Sequence, residues 1–291
     1  EKNQSSNYEN ILIGNYDREE DDKVTGIFIT TQQYSNITLP RIGGGVNKSL
    51  ADKKKSLSEF RRNMLSKRTE SIRDIIEYVK EFSVKFASII EMTLDSKGPV
   101  FIFSNWLTYG VEPLAIILET LGFSSFKNTV SAEKSNKFFI WNSSTKTQKG
   151  GEELIKKARN TFNSPMNSDG SLLKVILGTR SVMEGVSFKN VRQVHITDPW
   201  WNESRIEQIL ARASRYCSHS GLDKEEQYVD IYRHYSVYPG NGVDDEAVKK
   251  IGGNYKGFAE DSIEERMLQA SIKKYSINND LEQIIKSCSI D

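Results

Sequence analysis

Gln208, Arg212 and Arg215 stand at i, i+4 and i+7 in the run Gln208-Ile209-Leu210-Ala211-Arg212-Ala213-Ser214-Arg215. On a helix, about 100° per residue places all three on one narrow stripe. Two guanidiniums and an amide in line make a poor packing surface. They suit a multi-oxygen anion such as a phosphate chain, which a planar guanidinium fork can hold with two hydrogen bonds at once. The plainer alternative is an amphipathic helix with two solvated arginines. Asn202 can cap such a helix, and Glu203 suits its positive end. Neither Pro nor Gly interrupts Glu203 to Cys217, so one helix is predicted across that span.

Leu172 to Leu177 is an apolar run of strand length that ends in Gly178-Thr179-Arg180. A turn-like segment follows, Ser181-Val182-Met183-Glu184-Gly185-Val186-Ser187-Phe188. A second strand run, Val191 to Ile196, leads to Asp198-Pro199-Trp200-Trp201. Strand, turn, strand and helix in this order gather polar residues at strand ends, where parallel sheets bind ligands. Upstream, Gly98-Pro99 precedes a strand at Val100 to Phe103, with Ser104-Asn105 at its carboxyl end. Val111 to Leu121 reads as a helix closed by Gly122, Lys137 to Trp141 as a strand, Glu152 to Phe162 as a helix, and Tyr228 opens another strand. This alternation predicts an α/β fold, a parallel sheet with helices on both faces. Before it, Asn10 to Gly14 and Gly26 to Thr31 read as short strands, residues 43 to 65 as a Gly- and Lys-rich loop, and 68 to 95 as one helix. After it, Ser262 to Tyr275 and Asp280 to Cys288 read as two helices. No internal repeat is visible.

Three of these stretches carry a resemblance. Gly178 to Phe188, Ile196 to Glu203 and Gln208 to Arg215 are similar, in that order, to motifs V, Va and VI of superfamily 2 helicases and translocases. The Asp198-Pro199-Trp200-Trp201-Asn202 step resembles the Swi/Snf-like branch. Phe162 to Ser171, Arg192 to His219 and Ile285 to Asp291 resemble the helicase-like ATPases of poxviruses and related large cytoplasmic DNA viruses, the group of nucleoside triphosphatase I and the early transcription factor small subunit. The likeness is specific from Ser83 to His219 and looser at both ends. Tyr34 to Pro40 resembles the segment that joins two helicase lobes. One position departs from the family octet: Ala211 stands where Gly is usual.

The resemblance implies a RecA-like fold of the P-loop NTPase type, with an N-terminal helical and loop extension and a C-terminal helical tail. It divides the chain into a connector and basic loop at 1–66, the C-terminal RecA-like lobe at 67–238, and a helical tail at 239–291. It implies that ATP and Mg2+ are bound mainly by an N-terminal lobe that this chain does not carry. Arg212 and Arg215 then match arginines that meet charge on the γ-phosphoryl, and Gln208 matches a residue that helps close the interface. Gly185 would let the backbone approach the nucleotide, with Glu184 beside it. Thr179, Arg180, Ser104 and Asn105 match positions that contact a nucleic-acid backbone, DNA being the expected strand. The implied partners are nucleic acid, the N-terminal lobe, and viral RNA polymerase or transcription-factor subunits. The implied setting is the viral factory in host cytoplasm, and the virion. The alternative is a scaffold that binds nucleic acid or a transcription complex without hydrolysis; retention of the Gln208 stripe argues against it.

The rest of the sequence bounds these expectations. A chain of 291 residues can bury a sizeable core, and 37% hydrophobic with 27% charged residues is ordinary for a globular protein. No apolar run reaches membrane-spanning length, so no membrane segment is expected. The first residue is Glu1, which suggests a piece of something longer. Cys217 and Cys288 lack metal-ligand spacing, and no metal site is expected, Cys217 and His219 included. Net charge is only +1, but Lys48 to Arg73 holds nine basic residues against three acids. Such a run attracts phosphates or is simply a solvated loop. Asp17 to Asp22 reads as an acidic exposed loop. Gly43 to Ser49 is a poor match to a phosphate-binding loop, lacking Gly before Lys48, so the chain alone is expected to hydrolyse no ATP. Trp200 and Trp201 read as corner packing, and His195 as structural.

Overall fold

The computed structural model describes residues 24–41, 49–127, 136–183, 186–237 and 262–288. Its centre is built from three four-residue strands, two of them apolar and the third carrying buried Gln193 and His195. Strands β1 (Val100–Phe103), β4 (Val175–Gly178) and β5 (Gln193–Ile196) are buried at every position. A strand covered on both faces loses hydrophobic alternation in just this way. Strands β2 (Ser124–Ser125), β3 (Lys137–Trp141) and β6 (Asp230–Arg233) complete one six-stranded sheet in the order β2-β3-β4-β1-β5-β6, with every pairing parallel. Phe103 pairs with Gly178 on one side and Ile196 on the other. The three central strands therefore end level, and the residues after them share one edge. The chain leaves β1 for the far edge, returns through β3 and β4, then crosses to β5. The carboxyl ends of β4, β1 and β5 thus flank the point where the chain switches direction, the usual ligand side of such sheets.

Helices cover both faces. Helices α1 (Val24–Asn36), α2 (Leu50–Ser66), α3 (Ile72–Lys80), α4 (Val84–Asp95) and α5 (Glu112–Thr120) contribute to one core with Ile102, Val175 and Leu177. Short helix α6 (Ser143–Thr147) lies in the β3 connection. Helices α7 (Gly151–Phe162) and α8 (Glu203–Ala213) pack on the other face around Phe101, Phe103, Ile176 and Val194. There Phe188 gathers the rings of Phe101, Trp141 and Phe162. Helix α9 (Ile263–Cys288) docks its first turns and leaves residues 272–288 exposed. Ser49, Ser71, Ser83, Asn142 and Asn202 each cap a helix through a side-chain oxygen that accepts a backbone N–H.

Several local expectations are corrected. Gly26 to Thr31 is not a strand but part of α1, whose Thr31, Gln32 and Tyr34 are buried; tertiary packing overrides its β-branched composition. From Leu50 onward the expected loop is helix α2, capped by Ser49. Its basic residues are partly committed within the fold: Arg61 pairs with Glu119, Lys67 with Glu70, and Lys53 donates to Gln33. The single helix expected at 68 to 95 is two, because buried Ser83 starts α4 anew. The two tail helices are one. The arginine-bearing helix stops at Ala213, four residues short of Cys217. Asn10 to Gly14, Asp17 to Asp22 and most of Gly43 to Ser49 lie outside the described residues.

Candidate functional site

Helix α8 buries Ile206, Ile209 and Ala213 and turns Gln208 and Ala211 to solvent. Ala211 therefore lies outside the packed face of the helix. Gln208 and Arg212 share a face as expected, but Arg215 does not continue it. Ser214 ends the helix with φ −116°, and its hydroxyl donates back to the Leu210 carbonyl at 2.9 Å. Both arginines nevertheless converge on residues 186–188. Arg212 Nη1 lies 3.5 Å from the Val186 carbonyl, and its own carbonyl accepts the Phe188 N–H at 2.8 Å. Arg215 Nη1 donates to Ser187 Oγ at 2.7 Å. Arg212 is half-buried with Nε lacking a partner among the described residues, whereas Arg215 is exposed. Glu184 and Gly185 lie outside the described residues.

A groove of about 960 Å³ opens at the carboxyl edge of the sheet. Asn105 after β1, Asn142 after β3, Thr179 and Arg180 after β4, and Trp200 after β5 all line it, together with Lys146 from α6. Thr179 is fixed by its N–H on the Trp141 carbonyl, 3.0 Å. The Arg180 guanidinium lies over the Trp200 ring at 4.9 Å, so this tryptophan is half-buried by a cation and not by apolar packing alone. Ser104 does not reach the groove. It is fully buried, and its hydroxyl donates to Asp198 Oδ1 at 2.6 Å; it braces the site from beneath, and its expected contact with nucleic acid does not fit that position.

Asp198 is the hub beneath the groove. Its Oδ1 accepts from Asn36, Ser104 and Thr197, and its Oδ2 accepts the Asn105 backbone N–H at 2.8 Å and side-chain amide at 2.6 Å. This holds the Asn105 amide by its nitrogen and leaves Oδ1 without a partner. Buried Lys85 extends the network: Nζ donates to Asn36 Oδ1, the Thr197 carbonyl and both oxygens of Glu264, the last at 2.7 and 2.8 Å. Burial pushes the Glu264 carboxyl above its usual range, while Lys85 and the Ser236 N–H pull it back. Sequence reasoning missed Lys85, Glu264, Asn36 and Asp198. Asp198 and Asn36 lay in stretches already singled out, but Lys85 meets Asn36 across 49 residues, Thr197 across 112 and Glu264 across 179.

His195 is structural in its geometry. Its Nδ1 faces His234 Nε2 at 3.0 Å, and its ring stacks on Tyr232. Burial drives both rings toward the neutral form, His195 down to about 3 and His234 to about 4. His219 is held by Ser218 and the Val191 carbonyl. Among the described residues no group of three or more His, Cys, Asp or Glu could hold a metal. No helix there is long and apolar enough to cross a membrane.

Residues 84–217 match the helicase conserved C-terminal domain. Proteins of large DNA viruses are among the relatives of this chain. A protein of Acanthamoeba polyphaga mimivirus, provisionally named ATP-dependent RNA helicase R563, is 34% identical over 217 residues, covering 73% of this chain and 33% of the relative. The termination factor NPH-I homolog of an African swine fever virus isolate is 24% identical over 272 residues, 81% of this chain and 37% of that protein. The chain thus spans well under half of either relative. Among solved structures, the C-terminal part of the Fun30 ATPase domain overlaps 94% of both chains with a TM-score of 0.47 and 13% identity. The Sulfolobus solfataricus SWI2/SNF2 ATPase core in complex with dsDNA overlaps 85% of this chain and 40% of its own, with a TM-score of 0.40 and 16% identity.

Proposed function

We propose that this chain is the C-terminal RecA-like lobe of an ATP-dependent helicase or translocase serving viral transcription. It acts on a nucleic-acid backbone, in the cytoplasmic viral factory and the virion. The observation that carries this reading is the convergence of Arg212 and Arg215 on residues 186–188, with a buried guanidinium nitrogen still free of a partner among the described residues and a second guanidinium in solvent. A pure scaffold has no use for two arginines gathered on one turn. Their task is to meet negative charge that grows on a phosphoryl group held by an opposing lobe, with Gln208 on the same approach. Magnesium, held by that opposing lobe, neutralises phosphate charge there. The groove lined by Asn105, Thr179, Arg180 and Lys146 grips a strand by its phosphates, which positions it without reading sequence. Asp198 fixes Asn105 at the edge of this groove.

The test is Arg215→Ala in the longer protein carrying both lobes, with hydrolysis at saturating DNA and nucleotide binding measured on the same sample. An arginine that acts in the transition state is worth about 10³ to 10⁵ in rate, so turnover is expected to collapse while ATP affinity changes little. Hydrolysis within a few-fold of wild type for both Arg215→Ala and Arg212→Ala would transfer the assignment to the non-hydrolysing scaffold.

A further inference from the structure

Arg180 and Arg205 sit on one indole. Their guanidinium carbons lie 4.9 and 4.2 Å from the Trp200 ring centroid. Neither arginine makes an ion pair among the described residues. Asp198 is near enough to favour the Arg205 charge, but it is 1% exposed and both its oxygens are already taken by Asn36, Ser104, Thr197 and Asn105. Partial burial, and then the neighbouring Arg180 charge, lower the Arg205 pKa. Arg205 also occupies the first turn of α8, where unpaired amide dipoles disfavour a cation. Three unfavourable placements coincide at one side chain. Folds keep such local conflicts where a ligand resolves them. Arg180 and Trp200 line the groove, whose other polar groups are neutral or basic.

We propose that Arg180 and Arg205, both packed against Trp200, seat one phosphodiester of a strand at the margin of this groove, Arg180 from its lining and Arg205 from beside it. Arg205 is then a binding residue and Trp200 a positioning residue. The proposal rests on the reading of the groove as nucleic-acid-facing and adds to it a specific seat. A nucleotide polyphosphate carries the same chemistry, so the test separates the two sources.

Binding of a labelled short oligonucleotide, single- and double-stranded, is measured across a salt titration for the 291-residue protein and its Arg205→Ala, Arg205→Gln, Trp200→Ala and Lys97→Ala variants. Lys97 is exposed beside the amino end of β1, at the opposite edge of the sheet. Arg205→Ala and Arg205→Gln are expected to weaken binding five- to tenfold, and to lower the slope of log affinity against log salt by about 0.7 to 0.9, the loss of one phosphate contact. Trp200→Ala should follow them, and Lys97→Ala should keep the wild-type slope. A merely structural role would change the melting temperature and leave the slope alone. If wild type binds while both Arg205 variants keep its affinity and slope, the seat is refuted and the groove reading survives. If wild type binds no oligonucleotide, both fall. Loss of ATPγS binding in Arg205→Ala, with oligonucleotide binding untouched, would overturn the proposal in favour of a nucleotide seat.

Discussion

At the scale of single residues, the two motif arginines are not equivalent. Arg212 leaves the last turn of α8 half-buried, and its backbone carbonyl holds Phe188, the centre of an aromatic group. Arg215 stands beyond the helix in solvent, and its guanidinium donates to the Ser187 hydroxyl. Replacing Arg212 by Ala is therefore expected to cost about 1 kcal/mol of stability through lost stem packing as well as its effect on turnover. Arg215→Ala should leave the unfolding midpoint where it was. Urea denaturation of the two variants beside wild type decides this, and equal losses would mean that their burial difference has no energetic meaning. Lys85 and Glu264 make a sharper case. Removing one member of a buried pair strands the other charge, at a cost of about 3–5 kcal/mol. Lys85→Ala should thus be severely destabilising. The double change Lys85→Met with Glu264→Leu should recover most of the loss, because no unpaired charge remains. A double variant no better than Lys85→Ala would show that the remaining partners, Asn36, Thr197 and Ser236, matter more than the pair.

At the scale of elements, what was legible had local causes. The apolar runs of β1 and β4 announce doubly covered strands, and Ser or Asn before a periodic run announces a helix start. Thr179, Arg180 and Gln208 were legible because they sit in contiguous phrases tied to strand and helix ends. The misreadings have physical reasons too. Helix α1 is rich in β-branched residues and owes its form to burial against the start of α9 and the Leu107–Val111 segment, which no local preference contains. The end of α8 is set by Ser214 turning back on Leu210, with no Gly or Pro to mark it. Lys85 and Glu264 look like ordinary surface charges in sequence, since their partners come from distant segments. Ser83 shows how one residue can govern an element boundary. Its hydroxyl accepts the Phe86 N–H and donates to the Asn36 carbonyl at 2.5 Å, tying the start of α4 to the end of α1. Ser83→Ala should cost about 2 kcal/mol, a lost cap plus an unsatisfied buried carbonyl. The exposed cap Ser71→Ala should cost about 1 kcal/mol or less. Matched losses in equilibrium unfolding would mean that the buried tie to α1 contributes nothing.

At the scale of the whole molecule, the histidine pair under β5 and β6 makes folding sensitive to acid. His195 and His234 face each other at 3.0 Å, buried among Tyr232, Gln193 and the region of Lys85. Burial first, and then the neighbouring positive charge, hold them at about 3 and about 4, against roughly 6.5 in an unfolded chain. Depressed basic groups cost the fold nothing while they are neutral in both states, that is, above about pH 6.5. As pH falls from there toward the folded values, the unfolded chain takes up protons that the folded chain refuses. Each histidine then removes on the order of 1 kcal/mol per pH unit. Glu264 and Glu112 act in the opposite sense, because burial raises them and their protonation on acidification favours the folded state. The measurement is the urea midpoint from pH 7.5 down to 5. Wild type should lose stability steadily below about pH 6.5, and His234→Gln should flatten that decline by removing one titrating ring and its repulsion of the other. A wild-type midpoint that stays level over this range would mean that the raised carboxylates offset the histidines completely. A His234→Gln curve parallel to wild type would place the acid sensitivity elsewhere in the fold.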